Sequence, residues 1–161
     1  MKICKEIEQL KELLDMQKAL DEAILKERGI EKYPLEEMKI ALFVELGELM
    51  NELLSKFKFW KKNPVDNREK ELEEYVDCLS FKLSLINFFG FPNIINSLLN
   101  YDEYKHLSSI SFGDLFFSSY NDIHISSFFG LGHKIGFTWE EVYNAYKKKN
   151  KLNYERLKNG Y

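Results

Sequence analysis

Apolar residues at Ile3, Ile7, Leu10, Leu14 and Ile24, with charges filling most positions between them, predict an amphipathic helix over residues 2–28 that ends near Gly29. Gln17 and Asp21 continue the apolar stripe of that helix although both are polar, so they are expected to face inward and to need partners there. Pro34, followed by Glu36 and Glu37, opens a second helix expected to run to about Ser55. From Ile40 to Leu54 it is apolar almost all round except for a stripe carrying Glu45, Glu48 and Glu52, the pattern of a helix buried on most sides. A third helix is predicted from near Asp66 to Phe89, stopped by Gly90 and Pro92, with a short helical piece after it over 94–99. Thr138 followed by Glu141 reads as a capping box, opening a last helix through Trp139, Val142, Tyr146 and Leu152 to about Leu157. Residues 100–128, rich in Ser, Asn, Phe and Tyr, give only irregular structure and at most one helix. No alternation is sustained enough for a sheet and no repeat is visible, so the chain is expected to be an all-α helical bundle, a single domain over 1–161.

Within that pattern, Glu45 with Glu48 and Glu74 with Asp77 form two carboxylate pairs, each three residues apart. Positions three apart share a helix face, so each pair points two carboxylates the same way from neighbouring turns. The Lys-rich, Pro-containing turn between them lets the two helices run antiparallel, with the four acids facing one another. Carboxylates gathered in a poorly solvated place must take up protons or be neutralised by a cation. An all-oxygen set without His or Cys suits Mg²⁺, or Mn²⁺, better than zinc. The competing reading is that both pairs are ordinary solvated helix faces, where Glu most often sits.

The net charge of −3 and pI near 5.7 argue against nucleic acid as the main partner, since a phosphate backbone favours a strongly basic surface. The chain has no apolar run of about 18 residues and no leader-like start at Met1. A cytoplasmic protein with no membrane partner is the expectation. Cys4 and Cys78 lie in predicted helices without metal-ligand spacing and read as reduced packing residues. Aromatic residues make up 15% of the chain, thirteen of them Phe, which is ample for a core or an oligomer interface. His124 and His133 have no partners at ligand spacing and read as structural.

Carboxylate-held Mg²⁺ commonly serves phosphoryl chemistry, with phosphate oxygens completing its coordination. Lys149, Asn153 and Arg156 lie at successive offsets of four and three, so one face of the last helix presents all three. The pattern Glu-x-x-Glu, spacer, Glu-x-x-Asp resembles the all-α nucleoside triphosphate pyrophosphatase superfamily, which includes the MazG proteins and the dimeric dUTPases. Three further segments look like the dimeric dUTPase branch: Gln17 to Asp21, Phe57 to Lys61 followed by Leu72 to Asp77, and Ala145 to Tyr161. Of these the last is the most specific. Together the matches run from residue 14 to the last residue, leaving 93–127 unmatched as a family-variable insertion, a lid or a dimer surface.

The resemblance implies Mg²⁺-dependent hydrolysis of dUTP to dUMP and pyrophosphate, which keeps uracil out of DNA and supplies dUMP. Glu45, Glu48, Glu74 and Asp77 would hold the metal, and Glu48 would orient the attacking water. It further implies that Gln17 and Asp21 approach base and sugar and that Trp60 and Phe81 wall the uracil. Lys149, Asn153 and Arg156 would contact phosphate and the uracil edge, with Lys58 a weaker phosphate contact, in a homodimer acting on dUTP, with dUDP a second candidate substrate. Two positions depart from the pattern: Asp21 stands where some members carry Asn, and Leu157 where Gln is expected, which puts base selectivity in question rather than hydrolysis. The alternatives are a MazG-like pyrophosphatase of other specificity and a non-catalytic helical interaction protein. A di-iron bundle wants two Glu-x-x-His elements, and only Glu103 with His106 fits.

Overall fold

The computed structural model describes residues 2–90, 109–121 and 125–160. Seven helices and no strand are found among them: α1 (Lys2–Arg28), α2 (Leu35–Glu52), α3 (Leu54–Phe57), α4 (Arg68–Phe89), α5 (Phe112–Asn121), α6 (Ser126–Ile135) and α7 (Trp139–Lys158). The helical piece expected over 94–99 lies outside the described residues, as do Glu103, His106 and His124. The Phe-rich segment that periodicity left largely irregular supplies α5 and the first residues of α6, which pack on each other.

The arrangement is centred on α4. Helix α2 packs along it, while α1 and α7 pack on one another and against α4. Leu42, Leu46 and Leu49 recur at three- and four-residue spacing, form one buried stripe of α2 that Leu53 continues just past its end, and meet Leu79 and Leu83 of α4 in the core. Each fully buried leucine contributes roughly 1.5–3 kcal/mol, which is what holds α2 in register with α4. Cys78 is a buried free thiol in this core, as its helical setting suggested.

The ends of the elements follow their local chemistry. Asn67 caps α4 by accepting from Lys70 N at 3.3 Å, and Gly90 closes it at φ 72°, a left-handed conformation that costs glycine least. At the start of α7, Glu141 N–H donates to Thr138 Oγ1, while Thr138 N–H donates to the Glu141 carboxylate at 2.8 Å. Glu141 also pairs with Arg68 at 2.8 Å, tying the beginnings of α4 and α7 together. These contacts hold the Glu141 carboxyl down to about 2. The second helix breaks at Leu53 instead of running to Ser55, and the connector after α3 is pinned at its base. There Ser55 N–H donates to Asp66 Oδ1 at 2.8 Å, and the Ser55 hydroxyl donates to the other carboxylate oxygen.

One expectation fails. Helix α2 is not buried on most sides: Ile40 is 63%, Phe43 64% and Val44 48% exposed. With Gly47 they form a second apolar stripe, opposite the buried leucines, that the described residues leave mostly open, with only Tyr120 among the ring contacts meeting Phe43 edge-on at 5.3 Å. Sequence pattern sees two apolar faces as one buried helix, because periodicity does not say which neighbour covers each. No helix among the described residues is long and apolar enough to cross a membrane.

Candidate active site

Glu45 and Glu48 come from successive turns of α2, and Glu74 and Asp77 from successive turns of α4, so the packing of these two helices brings the pairs together. One carboxylate oxygen each from Glu45, Glu48 and Glu74 lie within 4.8 Å of one another. Asp77, the fourth member, instead accepts a 2.6 Å hydrogen bond from Lys149 Nζ of α7. The negative charges press on each other. Burial and then the charges of Asp77, Glu48 and Glu74 push the Glu45 carboxyl up to about 7. Glu74 is raised by burial and by Asp77 and Glu48, and Asp77 by burial, which its bond to Lys149 partly offsets. Mg²⁺ binds oxygens at about 2.1 Å, so two on opposite sides of it stand about 4.2 Å apart. The three carboxylates therefore need only small rotations to share such an ion, and the donor set fits it.

These shifts fix a pH dependence. Between the ordinary 4.5 and about 7, folded Glu45 retains a proton that the unfolded chain has released, so stability falls as pH rises through that window. Glu74, Asp77 and Asp21 shift in the same direction, whereas the depressed Glu141 acts only below 4.5. In chelator, the melting temperature is expected to be lower at about pH 7.5 than at about pH 5. Differential scanning calorimetry checks this, with Glu45→Gln flattening the curve. A melting temperature that climbs over the same range would contradict it.

Beside the carboxylates lies a cleft of about 350 Å³ whose walls include Gln17, Asp21, Glu45, Asp77, Phe81, Lys149, Asn153 and Arg156. Most of the residues singled out from sequence thus meet in one place. Gln17 is buried and fixed from both sides: Tyr146 OH donates to its Oε1 at 2.6 Å, and its Nε2 donates to Asp21 Oδ1 at 2.8 Å. This supplies the inward partners that its place on the apolar stripe demanded. Burial raises the Asp21 carboxyl, offset in part by Ser84 and Gln17.

Trp60 and Lys58 do not line this cleft. Trp60 is 63% exposed on the connector, edge-on to Phe57 and Phe59, and Lys58 lies 5.4 Å over the Phe57 ring. Sequence reasoning also missed lining residues. Ile30, Tyr33, Pro34 and Met38 form an apolar wall, with Tyr33 stacked on Phe88 at 4.5 Å and its hydroxyl buried without a well-formed hydrogen bond. Three of these precede α2, where no periodicity exists to mark an inward face. Tyr146, which orients Gln17, was visible only as one apolar position of α7.

No curated protein matches the sequence. A family model described as dUTPase matches residues 9–161, nearly the whole chain. It joins an all-α fold, a convergent carboxylate cluster and an adjoining cleft, and the chain accordingly belongs to the dUTPase family and is a hydrolase, a dUTP diphosphatase.

Proposed function

We propose that Glu45, Glu48, Glu74 and Asp77 hold Mg²⁺, for which Mn²⁺ can substitute, and that dUTP is cleaved beside them to dUMP and pyrophosphate. The observation that carries this reading is the approach of the Glu45, Glu48 and Glu74 oxygens to within 4.8 Å, beside a cleft lined by Phe81, Lys149, Asn153 and Arg156. A divalent ion bound there would neutralise triphosphate charge and make the attacked phosphorus more electrophilic. Glu48 accepts a hydrogen bond from the attacking water and takes its proton as the new P–O bond forms. The linkage between the α and β phosphates breaks, and pyrophosphate leaves with the electron pair of that bond.

The remaining lining residues divide by chemistry. Lys149 and Arg156 supply positive charge to the phosphates, the face of Phe81 stacks on the flat base, and Asn153 reads the uracil edge. Gln17 has both halves of its amide engaged within the protein, so it acts by orienting Asp21, whose second oxygen is the acceptor offered to sugar or base. Trp60 and Lys58 enter only through a movement of the connector or through a second copy of the chain. The exposed stripe Ile40, Phe43, Val44 and Gly47 is where we place that second copy, in a homodimer. Phe43→Glu is expected to yield a monomer by light scattering, because it puts a charge at the centre of that stripe. A cytoplasmic location belongs to the same reading.

Pyrophosphate release from dUTP, dTTP, dCTP and UTP with Mg²⁺ tests the proposal. Strong preference for dUTP, lost on adding chelator, is the expected result. Equal rates across the four would replace uracil selectivity with a broader MazG-like specificity, which Asp21 in place of Asn would then explain. No release from any nucleotide would leave a non-catalytic helical protein.

A further inference from the structure

Lys149 Nζ is 2.6 Å from Asp77 and 3.8 Å from Glu73, with the lysine side chain only 13% and that of Asp77 18% accessible. Among the four carboxylates gathered for a divalent ion, Asp77 is bonded to a cation supplied by the protein itself, the ammonium of Lys149. The same lysine lines the cleft together with Asn153 and Arg156, its neighbours along α7. Its charge thus stands between two claimants, an inward carboxylate and the space where a triphosphate would lie. An ammonium is a compact point charge on a flexible stem, so it changes partners by bond rotation, as a planar guanidinium fork in a bidentate pair does not.

We propose that Lys149 is an exchangeable counter-ion, which holds Asp77 in the metal-free protein, yields that oxygen when a divalent ion arrives, and carries its charge to the triphosphate. This rests on the metal-dependent reading above. Glu73, one turn before Asp77 on α4 and exposed, keeps the released ammonium near the cleft. Metal and lysine then compete for Asp77, while nucleotide draws the lysine away and so favours metal. Each ligand tightens the other.

Mn²⁺ binding without nucleotide, followed by calorimetry or by the loss of the free-ion paramagnetic signal, tests this. Lys149→Met is expected to tighten Mn²⁺ about fivefold, the weight of a partly exposed ion pair. Lys149→Arg keeps the pairing in a fork that releases it less readily, so it should bind Mn²⁺ no tighter than wild type. Lys148→Met removes the same charge from an exposed neighbour and should change affinity less than about twofold, since its lysine pairs with no ligand. Unchanged or weaker Mn²⁺ binding in Lys149→Met, or equal tightening in Lys148→Met, would overturn the exchange. A wild type that binds no Mn²⁺ would overturn the metal reading itself, which separates the two failures. One measurement needs no variant: the ¹⁵N signal of the Lys149 ammonium should leave its shielded, paired position as Mg²⁺ saturates the wild-type protein. A signal that stays in place through saturation also refutes the proposal.

Discussion

Glu48→Gln is expected to lower pyrophosphate release from dUTP by about 10²–10⁴-fold at saturating Mg²⁺, the contribution typical of a positioned proton acceptor. The change is nearly isosteric and lies at an exposed position of α2, so the packing of Leu46 and Leu49 beneath it is untouched. What disappears is one charge and one proton acceptor. Because Glu48 raises the protonation of both Glu45 and Glu74, its neutralisation also relieves repulsion in the metal-free protein, whose melting temperature should hold or rise. Loss of activity together with retained stability would separate a chemical role from a structural one. Glu52→Gln, one turn further along the same helix and outside the cluster, is the control and should stay within about twofold, as a distant substitution does. If Glu48→Gln keeps more than a tenth of the wild-type rate, the proton acceptor is another member of the cluster.

The largest loss of stability is expected from Gly132→Ala. A methyl group there would stand 2.4 Å from the Tyr75 hydroxyl oxygen and 2.6 Å from the ring carbon that bears it. Tyr75 cannot give way. Its ring stacks on Phe128 at 4.4 Å, leans on Phe137, and donates from its hydroxyl to Phe128 O at 2.9 Å. Overpacking of this kind costs about 1–3 kcal/mol, and a strained or broken hydrogen bond adds about 1 kcal/mol. For a chain of this size that corresponds to a fall of roughly 4–16 °C in melting temperature. Tyr75 adjoins Glu74, so displacement of α4 at this point should also weaken Mn²⁺ binding. Denaturant unfolding measures the first effect and metal titration the second. A loss below about 0.5 kcal/mol, the range of a neutral surface change, would mean that α6 slides away freely and does not brace α4.

Local chemistry made the long helices legible in advance. The stripe of α1, the Gly90 stop of α4 and the Thr138–Glu141 box of α7 are short-range signals, and each appears where its residues place it. The paired carboxylates were legible for the same reason, since three-residue spacing on a helix dictates a shared face. What was not legible depends on distant partners. Nothing in α2 says that Ile40, Phe43 and Val44 are left largely exposed, because their apolarity matches that of the buried leucines. Phe112 to Ile135 is too uniformly aromatic and small for its period to emerge, although α5 and α6 fold there. Trp60 looked like a pocket wall through resemblance, yet its surroundings are set by the path of a connector that carries no periodicity. Asp77 offered no hint that a lysine 72 residues away would occupy it.

The doubled bond from Ser55 to Asp66 has a consequence for handling the molecule. It fastens together the two strands of chain that leave and re-enter the bundle, so the lysine-bearing excursion between them is closed at its root. A single trypsin cut after Lys61 or Lys62, both exposed, would sever the backbone while leaving each fragment docked on the other through the leucines of α2 and α4. The enzyme is thus naturally divisible there, and two separately produced pieces should reassemble on mixing, with each half bringing one pair of acids.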